Sequence, residues 1–185
     1  MTAAGGDAER TGNLLGALAL ALTDRTSDAI AAAAGLSGTG ATTLSALHHF
    51  LDGPSVDRLR QVLGLTSSGT VRLVDRLEQE GYVRRVAGSD GRTTLVRLTP
   101  AGRRAARRVS AARARVLADA IAVLGPDDRD RLDELISRML AGMVRGPGAT
   151  RWLCRLCHVR ACGRAEGRCP VANEAAARYP AINQG

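Results

Sequence analysis

Residues 55–102, SVDRLRQVLGLTSSGTVRLVDRLEQEGYVRRVAGSDGRTTLVRLTPAG, decide the fold of this chain. Ser55–Leu63 carries Val56, Leu59, Val62 and Leu63 at helical spacing. Gly64-Leu65-Thr66 breaks that period and ends on a hydroxyl able to cap a following helix. A second helix is expected from Ser67 to about Glu80, with Val71, Leu73, Val74 and Leu77 on its inner side. Gly81 stops it, as a glycine just past a helix end does. Tyr82–Val86 and Thr93–Leu98 read as strands, and the Asp-Gly at 90–91 in the segment joining them is a hairpin signal. A helix, a turn, a second helix and a hairpin in so short a stretch have a clear physical use. The second helix can enter a major groove while the hairpin reaches the flanking backbone.

Outward from this unit the pattern is helical on both sides. Asp7 to about Gly35 is alanine-rich and apolar nearly all round in its middle, so it is expected to bury against a partner subunit. Gly38–Gly40 reads as a break, and Ala41–Leu51 as a short helix using Leu44, Leu47 and Leu51. Pro100 opens a long helix with an apolar stripe from Ala101 to Val123 and arginines mainly outside it. Pro126-Asp127-Asp128 begins another, with acids in its first turn and a stripe of Leu132, Leu135, Ile136, Met139, Leu140 and Met143. The fold class is therefore mostly α with a small β-hairpin wing. Residues 1–146 form the body (helix-turn-helix 55–81, wing 82–99), and 147–185 form a separate tail.

Composition favours a polyanionic partner. The formal charge is +8, and all 26 basic residues are arginine. The planar arginine fork donates two parallel hydrogen bonds to phosphate or guanine. Aromatic residues are only 2%, which argues against a stacking platform for single strands. Leu14–Leu22 has the length of a signal-peptide core, yet Asp7 and Glu9 precede it where a basic region belongs. The expected setting is the cytoplasm, with no membrane partner.

The ordered pieces Ser67-Ser68, Val74-Asp75-Arg76-Leu77-Glu78, Gly81, Arg84-Arg85, Asp90-Gly91-Arg92 and Leu98-Thr99-Pro100-Ala101-Gly102 resemble the MarR family of winged-helix repressors. The likeness runs over roughly residues 7–146 and is densest over 65–102. It implies a homodimer whose first and last helices form a shared core, reading a pseudo-palindromic operator in double-stranded DNA. It implies DNA contacts by Ser67, Ser68, Thr70, Arg72, Arg76 and Arg84. It also implies that Arg92, held by Asp90, reaches the minor groove. A small-molecule effector between dimer helices and reading domain is a further implication of the family.

The tail departs from that family pattern. It holds all four cysteines, Cys154-x2-Cys157-x4-Cys162-x6-Cys169, with Pro170 directly after. Four thiols within sixteen residues, interrupted by Gly163 and Gly167, read as a ligand set. Thiolates suit zinc or an iron–sulfur cluster. Contiguity, the closing Cys-Pro and nearby arginines lean towards a 4Fe-4S cluster over Zn(II). A disulfide framework fits a reducing compartment poorly. His158 is a substitute ligand only if a thiol is spared. His48 and His49 read as packing or surface groups, with a pocket role as the alternative.

Three function classes follow: a sequence-specific dimeric regulator, a non-specific architectural DNA binder, and an electron carrier built on the cysteines. The sequence holds no glycine-rich nucleotide loop, paired acid–base set or Ser–His–Asp arrangement, so catalysis is not expected. Redox, nitric oxide, iron or zinc is the expected signal if the tail senses; a purely structural metal is the alternative.

Overall fold

The computed structural model describes residues 3–36, 38–89, 91–146 and 148–180. The elements are α1 (Ala3–Ala34), α2 (Gly38–His49), α3 (Val56–Leu63), α4 (Ser67–Gln79), β1 (Val83–Ala87), β2 (Thr94–Leu98), α5 (Pro100–Ile121), α6 (Pro126–Gly142), α7 (Ala149–Leu153) and α8 (Pro170–Arg178).

Local chemistry sets the reading unit. Ser55 caps α3 by accepting from the Arg58 N–H at 3.1 Å, and Thr66 caps α4 by accepting from the Gly69 N–H at 3.1 Å. Gly81, at φ 75°, ends α4 in a Schellman arrangement. Its N–H donates to the Glu78 carbonyl at 2.9 Å and the Tyr82 N–H to the Leu77 carbonyl at 2.8 Å. The chain is thereby turned straight into β1. β1 and β2 pair antiparallel, Val83 opposite Leu98 and Ala87 opposite Thr94. The Pro54 carbonyl accepts from the Val96 N–H at 2.9 Å, tying the wing to the start of α3.

The main core joins the helix-turn-helix to the long helices. Leu44 of α2, Leu59 of α3, Leu77 and Val74 of α4, Val83 and Val96 of the hairpin, and Val109 of α5 are all buried in it. A second, smaller core belongs to the tail: Val144, Ala149, Cys169, Val171 and Ala175, packed by Leu140 of α6.

Two of the boundaries that differ from the sequence reading bear on packing. α2 starts at Gly38 and ends at His49, so the expected break at 38–40 lies inside the helix. Packing decides this: Gly40 is buried, with Leu36 and Leu77 side chains within 4 Å of where a Cβ would sit. The expected apolar stripe of α5 also stops short, because Val123 lies past the helix end and is 87% exposed.

The flanking helices leave their apolar sides open. Leu14, Leu15, Leu18 and Leu20 of α1 are exposed, as are Leu135, Ile136 and Met139 of α6 and Met143 just after it. Among the described residues, no single helix is long and apolar enough to cross a membrane.

Candidate nucleic-acid interface and cysteine tail

The outward side of α4 carries Ser67, Ser68, Val71, Arg72 and Arg76, all exposed. Two expectations are corrected here. Thr70 is fully buried and its hydroxyl donates to the Thr66 carbonyl at 2.9 Å, so it cannot reach a base. Val71, expected on the inner side, is 44% exposed. Neighbouring helical residues are turned by about 100°, and the one-residue difference in phase decides which of the pair faces out. Thr70 is the one that can be buried, because its hydroxyl finds a carbonyl one turn back.

Arg84 and Arg92 are exposed on the hairpin, Arg84 opposite Arg97 on the face turned away from Arg85. Asp90 lies outside the described residues, so its expected hold on Arg92 is not placed. Arg85, which the sequence reading passed over as a site residue, is the link between wing and helix. Its guanidinium bonds Asp75 at 2.5 Å and also pairs with Glu78. Glu78 accepts from the Arg85 backbone N–H at 2.8 Å as well. The backbone N–H first, and the guanidinium after it, hold the Glu78 carboxyl below the usual carboxylate range. The sequence signal was available: Asp75 and Glu78 stand three apart on α4, a spacing that puts both on one side. This clamp fixes the angle between helix and hairpin.

The tail crosses from α6 back towards the reading unit. α8 packs on α6, and α7 packs against α3. The four cysteines are free thiols. Cys154 and Cys157 share a hydrogen bond, and so do Cys162 and Cys169. The bond from Cys154 pulls the Cys157 thiol down to about 6, against its burial and with help from the Arg113 charge. The same bond, then burial, pushes Cys154 up; burial, then Cys169, pushes Cys162 up. The Cys154 thiol also feels the charge of Cys169, and Cys162 that of Cys157, so the two pairs are neighbours. Among the described residues, no three His, Cys, Asp or Glu side chains are arranged to hold a metal ion.

His158 packs its ring 4.8 Å from that of His49, and its Nδ1 accepts from the Ala161 N–H at 3.2 Å. Ser110 Oγ donates to the Ala106 carbonyl at 3.0 Å, so the 2.8 Å contact between His49 Nε2 and Ser110 Oγ is assigned as His49 donating. Burial, then the neighbouring His48 and His158, lower the His49 pKa to about 4. An unfolded His49 takes its proton near 6.5. Between those values the unfolded chain binds more protons, so this stability is full above pH 6.5 and is lost as pH falls towards 4. Discounted for partial exposure, the loss at pH 5 is about 1–2 kcal/mol. Urea unfolding at pH 7 and pH 5 should show that loss in the native chain and less of it in His49→Gln; an equal loss in both would remove His49 as its source.

A cavity of about 600 Å³ lies between α1, α2, α5 and the tail. Leu22, Ile30, Ala41 and Leu117 line it, with Arg113 and Arg155 as its charged members and Trp152, Leu156 and Cys157 as the tail's wall. His48 and His49 are not among the residues that line this cavity.

A capped helix-turn-helix clamped to a hairpin, carried between long helices with open apolar sides, defines a winged-helix nucleic-acid-binding fold. Residues 34–93 match the model of the MarR family. Solved structures agree. A MarR family protein from Bacillus stearothermophilus is 23% identical with a TM-score of 0.68, the match covering 77% of this chain and 98% of that one. A probable transcriptional regulator from Pseudomonas aeruginosa is 26% identical with a TM-score of 0.51, covering 68% of this chain and 96% of that one. A mutant of MepR from Staphylococcus aureus, bound to an oligodeoxyribonucleotide, is 15% identical with a TM-score of 0.56, covering 72% and 97%. No curated protein matches the chain in sequence.

Proposed function

We propose that this protein is a cytoplasmic, dimeric, sequence-specific DNA-binding transcriptional regulator, acting as a repressor on a pseudo-palindromic operator. One observation carries the reading: α4 turns two serines and two arginines outward, and the hairpin that follows carries Arg84 and Arg92 exposed. Serine and arginine on a recognition helix can meet base edges and phosphates, and hairpin arginines suit the adjacent minor groove. The open apolar sides of α1 and α6 support a second copy as the partner, since a monomer rarely leaves so much aliphatic surface to water. Enrichment from random duplexes at several salt concentrations tests this. A regulator selects a two-fold symmetric site, whereas an architectural binder shows a steep salt slope and no preferred sequence. On the selected duplex, Arg92→Ala should cost about 1–3 kcal/mol with the dimer intact. Unchanged affinity would take the wing arginine out of the interface.

The four tail thiols, in this proposal, hold a metal centre, with a 4Fe-4S cluster favoured over zinc. Thiolate donors suit both. The Cys154/Cys157 and Cys162/Cys169 pairs are joined by residues 154–169, which contain turns and no helix or strand, so few backbone hydrogen bonds oppose their closing on one centre. α7 against α3 and α8 against α6 then give metal loss a route to the spacing of the recognition helices. Iron, zinc and acid-labile sulfide per chain, measured after anaerobic purification beside a Cys162→Ser variant, decide it. Iron and sulfide near four per chain support a redox- or gas-responsive regulator; one zinc supports a staple or a zinc sensor; neither metal ends the reading. The cavity favours a second reading, in which the metal is structural and an apolar small molecule carrying a negative charge, met by Arg113 and Arg155, is the signal.

A further inference from the structure

We infer that Val71 is a specificity-determining residue that reads the 5-methyl group of a thymine in each half-site, an inference resting on the DNA-binding function proposed above. Val71 is 44% exposed on the outward side of α4. Within the reading unit, residues 38–102, it is the only large apolar side chain so exposed among the described residues. The others belong to α1, to the end of α5 and the segment after it, to α6 and Met143 beyond it, or to the tail. Those lie on or just past the long flanking helices or in the tail, whereas Val71 lies on the outward side of the second helix of the helix-turn-helix.

Its surroundings name the occupant. By helical spacing, Ser67 and Val71 form one edge of the outward side of α4, Ser68 and Asp75 its middle, and Arg72 and Arg76 the other edge. Asp75 is engaged by Arg85 and so is drawn towards the wing. What remains is a hydroxyl and aliphatic edge beside a basic one, in the first turns of the helix, the part that contacts base edges in helix-turn-helix proteins. A basic edge calls for a polyanion. The apolar group that DNA presents in the major groove is the thymine methyl. Valine is also a poor choice for an exposed helix site on stability grounds, because its branched Cβ loses rotamer freedom there.

The test uses the full-length chain and the duplex it selects from a random pool. Each thymine is replaced in turn by uracil, which removes the methyl and leaves the hydrogen-bonding edges intact. The expected result is one thymine per half-site at which uracil weakens binding about fourfold, the equivalent of one buried methyl. At that position Val71→Ala should bind the thymine and uracil duplexes equally. Arg72→Ala should lose affinity for both and keep their ratio. Alanine is the better helix former, so an unfolding midpoint at or above the native one confirms that the variant is intact. A uracil penalty that persists in Val71→Ala, or no thymine at which uracil matters, overturns the assignment. A chain that selects no duplex overturns both this and the DNA-binding function itself.

Discussion

Gly102→Ala is expected to lower the stability of this protein by about 4 kcal/mol, close to the most a single substitution does. Gly102 sits in the first turn of α5, where the Thr99 hydroxyl accepts from its N–H at 3.0 Å. A Cβ there would lie 1.9 Å from the Tyr82 carbonyl oxygen and 3.1 Å from Leu98 Cδ2. That oxygen cannot step aside. It already accepts from the Thr99 N–H at 3.0 Å, and the Thr99 hydroxyl donates to the Gly81 carbonyl at 2.6 Å. Two effects oppose each other. Alanine is favoured over glycine in a helix by about 1 kcal/mol. A backbone oxygen 1.9 Å from the new carbon, far inside van der Waals contact, costs several times that, and relief requires parting α5 from the base of the wing. The thermal midpoint should fall by roughly 10 °C for a chain of this size. DNA affinity should fall too, because the clamp of Arg85 on Asp75 and Glu78 is referenced to the same strand. A midpoint within a degree or two of the native value would mean that the junction yields, and that Gly102 is not there for its lack of a side chain.

The same junction shows why the centre of the chain was legible. Caps, the Schellman glycine and the hairpin register are short-range matters settled by a few residues, so Ser55, Thr66 and Gly81 marked their elements correctly. The misreadings came from tertiary context. Gly40 is buried inside α2 beside Leu36 and, from α4, Leu77, and nothing local says so. Thr70 and Val71 exchange sides because a buried threonine can satisfy itself one turn back. The Arg85 clamp was half visible as an Asp–Glu pair at helical spacing, but its cation lies on the next element. In the tail, periodicity gave little to read. The contact of His158 with His49 joins residues far apart in sequence and could not be inferred from either neighbourhood.

Removing the proposed metal should release the tail while leaving the reading unit folded. The tail's own core consists of Val144, Ala149, Cys169, Val171 and Ala175, small side chains that bury little apolar area. α7 has 5 residues and α8 has 9, below the roughly 12–15 at which a helix holds itself in water. Between them the backbone is tied mainly by turns, such as Cys157 N–H to the Cys154 carbonyl at 2.8 Å and Arg168 N–H to the Gly163 carbonyl at 2.8 Å, with Asn173 Nδ2 of α8 donating to the Gly167 carbonyl at 2.6 Å. Units this small ordinarily need a disulfide or a metal to persist. Four thiolates on one centre would close that loop and couple its folding to binding. Chelation of the metal-loaded protein should therefore speed amide exchange over residues 148–180 by at least about a hundredfold, on the order of 3 kcal/mol of local stability. Exchange in α3 and α4 should change far less, since their core is built from the helix-turn-helix, the hairpin and α5, with Leu156 of the tail packed against it. Cys162→Ser should behave as the chelated protein does without treatment. Tail protection that survives both chelation and Cys162→Ser would show that the small core suffices, and the cysteines would then have to be explained without a metal.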